Sequence, residues 1–383
     1  MHRPEPAPQL LSLLRQAVEA GASDLHLTPG EPPSLRVDGR LTPLPGLGTT
    51  SAETLAAWVG SLLVPAQAQA LEAERSVDLA LSLPEGPRFR LNAFFSRGQL
   101  ALAIRRLEPR IRTLEELRLP AALEPLTTLQ DGLVLVTGAT GSGKSTTLAT
   151  LLDLINQRRA CHILTLEDPI EYLHTSRQAL VRQRELHTDF PAFASALRVT
   201  LREDPDVILV GEMRDADTMR TALMAAETGH VVFSTLHAGS AIGAAERLIG
   251  AFTGEEQESI RHQLSLVLRA VVTQRLLPGR AGGRVPVLEL LQVSPAVANL
   301  LRQGKASQIQ SAMEAGASTG MRTLEQGLVE VVVRGWVDEE AARAAARDPT
   351  VFAERLRQAR AASRPGGAPT TARLAPRGGA AWP

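Results

Sequence analysis

Apolar and polar positions divide the chain into stretches of different rhythm. Over residues 10–20 apolar side chains recur at helical spacing and stop before Gly21, a residue suited to close a helix. Residues 21–40 break into short strand-like pieces between Gly and Pro turns. A helical pattern follows at 51–63, and strand patterns return at 76–83, 88–95 and 100–107. This mixture predicts a small α+β domain over residues 1–107. Residues 108–119 are charged, lie between prolines and show no regular pattern, which marks a linker. Beyond it, apolar runs at 133–136, 163–166, 207–210 and 231–233 alternate with helical patterns. Strands that are apolar on both faces and separated by helices predict an α/β domain with a parallel sheet covered on both sides. That domain is placed at 120–345, its C-terminal portion helical.

Composition changes the picture mainly at the end of the chain. Residues 355–383 hold six arginines and no acid, so the stretch 346–383 is expected to be a basic, largely disordered tail. Elsewhere 44% apolar and 21% charged residues suit a globular protein with sizeable cores. Formal net charge is zero and aromatic residues make up 3%, which argues against nucleic acid as a partner and against a DNA-dependent translocase. Cys161 is the only cysteine, so no internal disulfide and no cysteine-rich zinc site is available. The first residues lack the continuous apolar core of a signal peptide, and no run reaches the roughly 18 apolar residues of a membrane span. A cytoplasmic protein without direct membrane insertion is expected. Of the 41 basic residues only Lys144 and Lys305 are lysine, so a lysine here marks a place where arginine does not serve.

Lys144 stands in such a place. The run GATGSGKST comprises Gly138, Ala139, Thr140, Gly141, Ser142, Gly143, Lys144, Ser145 and Thr146, and fits G-x-x-x-x-G-K-[ST] between a strand and a helix. Glycines let the backbone wrap around phosphates so that amide groups at a helix N-terminus face the anion. Lys144 is then a point charge for the β and γ phosphates, and Ser145 offers its hydroxyl to Mg²⁺. Two further strand ends carry acids: Glu167, Asp168 and Glu171 after one, and Glu212 after the run VILVG, where a glycine fills the position expected of an aspartate. A fourth strand ends at His237, a candidate sensor of the γ-phosphate. In an open parallel sheet these ends surround one crevice. Glu171 and Glu212 are therefore candidates to orient or deprotonate an attacking water. A nucleotide-binding regulator that seldom hydrolyses is the non-enzymatic alternative.

Taken in order, GATGSGKST, LTLEDPIEYLH, LREDPDVILVGEMRD and AAETGHVVFSTLHAGSA resemble the Walker A, aspartate, Walker B and histidine boxes of the type II/type IV secretion ATPase superfamily. The resemblance runs over about residues 10–337 and is greatest to the PilT-type retraction ATPases of type IV pili, the motors of twitching motility. GASDLH followed by PPSLRVDG is similar to the opening of that family's PAS-like N-terminal domain. PAVANLLRQGK at 295–305 corresponds to its AIRNLIRE element, with Ala298 in place of the arginine and Gln303 in place of the glutamate. The resemblance implies a RecA-like ATPase domain behind a PAS-like domain, assembled as a homohexamer and using ATP and Mg²⁺. It implies that ATP lies between the two domains, with Arg90 and Arg105 reaching the phosphates. The implied partner is the inner-membrane platform protein of the pilus machine, met at the inner face of the cytoplasmic membrane. The implied function is pilus retraction by pilin disassembly. An accessory retraction paralogue is the alternative, as is a pilus-assembly or type II secretion ATPase, against which the missing N-terminal extension and zinc cysteines argue.

Overall fold

The computed structural model describes residues 6–44, 46–83, 86–108 and 110–362. The N-terminal half runs α1 (Pro8–Glu19), β1 (Asp24–Leu27), β2 (Ser34–Val37), β3 (Arg40–Pro43), α2 (Ala52–Gly60), α3 (Pro65–Glu74), β4 (Ser76–Ser82), β5 (Arg88–Ser96) and β6 (Gln99–Arg106). Its strands form an antiparallel sheet in the order β3-β2-β1-β6-β5-β4. Alternation decides its faces. Val77, Leu79, Phe89 and Leu91 are buried with Leu10, Leu14 and Leu55 of the helices. Asp78, Arg90 and Asn92, one residue out of step, belong to the other face, where Arg90 lies opposite Arg105 in the ladder. Helix α3 lies where no element is expected from sequence. It is rich in Ala, Gln and Glu and buries only Gln67 and Leu71, so its periodic signal is faint.

Residues 110–119 contain no helix or strand but are not loose. Glu116 accepts from Thr113 N (2.9 Å), Thr113 Oγ1 accepts from Glu116 N (3.2 Å), and Leu114 and Leu119 are buried against the second half.

The second half is built on β7 (Gly132–Thr137), α4 (Lys144–Arg158), β8 (His162–Glu167), β9 (Leu180–Glu185), α5 (Phe193–Thr200), β10 (Val207–Val210), α6 (Ala216–Glu227), β11 (Val231–Leu236), α7 (Ala241–Gly250), α8 (Gln257–Val267), β12 (Leu268–Pro278) and β13 (Arg284–Gln292). The sheet order is β13-β12-β7-β11-β10-β8-β9; it is parallel except for β13, which pairs antiparallel with β12 at one edge. Successive residues of the central strands feed opposite cores. Leu133, Leu164, Ile208 and Val232 pack with α6, α7 and α8, and Val134, Ile163, Val207 and Phe233 pack with α4. The face packed with α6, α7 and α8 also carries α9 (Pro295–Arg302) and α10 (Ile309–Ala315), through Val297, Leu301 and Met313.

The described residues end in α11 (Leu324–Val333), α12 (Glu339–Ala345) and α13 (Pro349–Ala362). Helix α13 corrects the expectation of a disordered tail from residue 346. Phe352 and Leu356, four apart on one face, are fully buried against α11, and Asp348 Oδ1 accepts from the Thr350 and Val351 amides at the helix start. Arginine content masked an amphipathic helix. The remainder of that expected tail, 363–383, lies outside the described residues.

Candidate active site

The loop between β7 and α4 turns on glycine. Gly138 has φ +143°, and a Cβ there would run into the Gln274 carbonyl and the Ser142 hydroxyl. Lys144 opens α4, its Nζ donating to the Gly138 and Ala139 carbonyls at 3.0 Å each. Burial draws the Lys144 pKa below the usual lysine range, opposed by the charges of Glu212 and Glu171, so both carboxylates lie within its field. Ser145 is exposed beside it, and Thr146 Oγ1 lies 2.9 Å from Tyr172 Oη. From the neighbouring strand, Gln274 braces the loop: its Nε2 donates to Ser142 O (2.8 Å) and its Oε1 accepts from Thr147 Oγ1 (2.7 Å).

The two acidic strand ends are each met by a cation. Arg90 Nη1 donates to Glu171 Oε1 (3.3 Å) while its Nη2 and Nε hold Asp78 (3.1 and 3.4 Å). Burial works against the Arg90 charge, and Asp78, then Glu171 and Asp168, overcome it and raise its pKa. Burial also raises the Asp168 pKa, with Asp78 adding to it and Arg214 and Arg90 opposing. Glu167 is enclosed, and burial pushes its pKa up to about 7 against hydrogen bonds from Thr165 Oγ1 (2.6 Å) and Gln183 Nε2 (3.0 Å).

Beyond β10, Glu212 Oε1 lies 3.0 Å from His237 Nε2, and its Oε2 accepts from Arg214 Nε at 2.9 Å. Gly211 fits a tight crossing, since a Cβ there would stand 3.1 Å from Leu166 O and 3.4 Å from Glu167 Cα. The hydroxyls of Ser234 and Thr235 tie β11 to the same end through Val210 O (2.7 Å) and Gly211 O (2.6 Å).

These side chains line one cleft of about 1100 Å³ between the two halves of the chain. It gathers Thr140, Gly141, Gly143, Lys144, Ser145 and Thr146 of the loop with Glu171, Glu212, His237, Arg90 and Arg105. Gly138, Ala139 and Ser142 shape the loop from behind and do not line the cleft. Arg105 is the outlier of the two arginines. It sits at the cleft with its side chain 70% exposed, bonded to Asp24 Oδ1 at 2.8 Å, and touches neither carboxylate. Sequence reasoning missed Gln274, Asp78, Tyr172 and Arg214. A buried glutamine inside the run AVVTQRLL was the one available signal for Gln274.

The residues present fit a nucleotide and a hard cation. The phosphate loop opens a helix of 15 residues, whose N-terminal amides favour an anion, and Ser142 Oγ is buried there without a partner. Among the described residues no group of three His, Cys, Asp or Glu could cage a metal. Ser145 with phosphate oxygens and water matches the way Mg²⁺ binds at such sites.

A mostly parallel sheet covered on both faces, a phosphate loop at one strand end, and two carboxylates and a histidine at the neighbouring ends define a RecA-like P-loop ATPase carrying an α+β domain at its N-terminal side. The chain belongs to the type II/IV secretion system protein family, whose model matches residues 5–280. It is 43% identical to the type IV pilus retraction ATPase PilT of Pseudomonas aeruginosa, covering 90% of this chain and 99% of that protein. It is 39% identical to the type IV pilus ATPase PilU of the same species, over 87% of each. A crystal structure of the pilus retraction motor PilT with bound ADP superposes with a TM-score of 0.81 at 42% identity, over 90% of this chain and 99% of that one.

Proposed function

We propose that this chain is an ATP-hydrolysing motor subunit that powers retraction of type IV pili. The observation that carries the reading is that Lys144, Glu171 and Glu212, from different strand ends, line one cleft. ATP and water give ADP and phosphate. Lys144 and the loop amides would hold the phosphates, and Ser145 would hold Mg²⁺, which when bound would offset the charge of the phosphate oxygens. Glu171 and Glu212 orient the water and take its proton, and His237, already on Glu212, responds to the γ-phosphate. Arg90 bridges the halves through Asp78 and Glu171, so its exchange of partners links nucleotide state to the seating of the N-terminal domain.

The working form in this reading is a homohexamer of chains divided at 1–107 and 120–345, acting from the cytoplasmic side on the inner-membrane platform protein of the pilus machine. Near full-length similarity to PilT supports it. Among the described residues no helix is long and apolar enough to cross a membrane, which fits docking through a partner. A second reading, an accessory retraction motor, is favoured by Ala298 and Gln303. Gln303 is exposed and bonds only within its own helix, to Asn299 Oδ1 (3.2 Å), so the change alters a surface and leaves the fold alone.

Lys144→Ala is expected to leave a folded protein without turnover. Glu171→Gln and Glu212→Gln are expected to lose roughly 10²–10⁴-fold in kcat while still binding nucleotide. Undiminished phosphate release by Lys144→Ala would end the ATPase reading. Host cells lacking the gene are expected to be hyperpiliated and non-twitching. Absence of pili would instead indicate assembly, and normal piliation with weakened twitching an accessory motor.

A further inference from the structure

The C-terminal helices reach the histidine-bearing loop through a buried carboxylate that the strand-end motifs do not include. Glu289, on β13, is 1% exposed. Its Oε1 accepts from Ala241 N, the first residue of α7, at 2.7 Å, and its Oε2 accepts from Arg347 Nη2 at 2.7 Å. The same Arg347 nitrogen reaches Gly239 O at 3.3 Å. Between them Ser240 caps α7 through Gly243 N at 3.0 Å. Residues 239 and 241 are thus gripped on both sides of the helix cap, two positions after His237.

Arg347 is itself fixed. Glu325, 4% exposed, accepts from the Arg347 and Asp348 amides (3.1 and 3.3 Å), and Arg275 Nη1 donates to Ala345 O at 2.6 Å. Phe352 and Leu356 anchor the helix that follows. An almost fully buried carboxylate needs its cation, because removing one partner leaves an uncompensated charge. Here the cation comes from the C-terminal segment, while the carboxylate also holds the start of α7.

We infer that Arg347 is a positioning residue of the ATPase site, acting through Glu289 to fix the 238–241 loop and with it the place where His237 meets Glu212. The inference rests on the ATPase reading above. Arg347 touches no nucleotide in this scheme; it sets how firmly the histidine is held. Phosphate-loop contacts with ADP lie outside its reach, so its loss acts on the discrimination of ATP from ADP and on kcat.

The test uses the full chain and calorimetric titration with ADP and with a non-hydrolysable ATP analogue, beside steady-state turnover. Arg347→Met combined with Glu289→Gln removes the tether without stranding a buried charge, and Glu289→Gln alone keeps an acceptor for the Ala241 amide if the double variant does not fold. The affinity ratio of ATP analogue over ADP is expected to fall roughly tenfold with ADP affinity retained and kcat reduced. Arg347→Lys, which keeps the charge, is expected to retain most of the preference. A lower unfolding midpoint with an unchanged ratio and unchanged kcat would make the contact a docking point only and overturn the inference. An unaltered protein that neither binds the analogue nor hydrolyses ATP would overturn the ATPase reading and this inference together, and is read before any variant.

Discussion

Glu167 ends β8 with its carboxyl enclosed, and burial moves its pKa from 4.5 to about 7. The unfolded chain releases that proton near 4.5 and the folded chain keeps it to about 7, so between these values the folded state binds more protons. Its contribution to stability is full below 4.5 and is lost as pH rises to about 7. Glu167→Gln does not titrate. Thermal unfolding midpoints scanned across this window are expected to lose the downward slope this group contributes, and an identical slope in both proteins would show that it arises elsewhere. Lys144, Ser145, Glu171, Glu212 and His237 were legible in the sequence because each follows the end of an apolar run, where a parallel sheet delivers side chains to its ligand edge. Asp78 was not legible because it meets Arg90 only through the pairing of β4 with β5, and Arg214, two residues from Glu212, carries no mark in the sequence that it also reaches Asp168. Gly211 gains its meaning only from the 3.1 Å separation to Leu166 O, a distance no sequence pattern records.

At the scale of elements, the four central strands were legible because burial on both faces leaves their interiors mostly apolar and free of charge, broken only by small hydroxyl residues such as Thr165 and Ser234. Strand β9 was not: as LVRQRE on a sheet edge it has two apolar residues followed by four polar or charged ones and reads as surface. The β12–β13 hairpin escaped as well, although it closes the other edge and supplies Gln274 and Glu289. Helix α13 was taken for tail because its arginines outweighed two buried side chains. Those two side chains carry its docking. Phe352→Ala is expected to cost about 3–5 kcal/mol, the usual loss for emptying a fully buried aromatic site. Urea unfolding followed by circular dichroism checks this, and a cost under about 1 kcal/mol would mean that α13 is held by its ion pairs instead.

At the scale of the whole molecule, the N-terminal half meets the loop after β8 and the end of β9. Arg88, from β5, donates to Ile170 O (2.8 Å) and pairs with the nearly buried Glu185 at 3.2 Å, while Arg90 beside it takes Glu171. Gln67 of α3 adds a longer contact to Thr188 at 3.4 Å. Arg88→Ala removes the cation from a carboxylate that is 4% exposed, and is expected to destabilise the chain by about 3–5 kcal/mol. An unfolding midpoint equal to that of the unaltered protein would show that this seat does not hold the halves together. The family resemblance implied a nucleotide site between two domains but not which residues close it, because that depends on how one sheet face is laid against residues 168–188. The mechanical consequence follows from where Arg88 lands. A load borne by the N-terminal domain would arrive at residue 170, next to Glu171, to which the proposed mechanism gives the attacking water. Under the proposed function, force and chemistry would then share one pin: a domain held back by a taut filament would also withhold Glu171, so that stalling and idling become the same event at this joint.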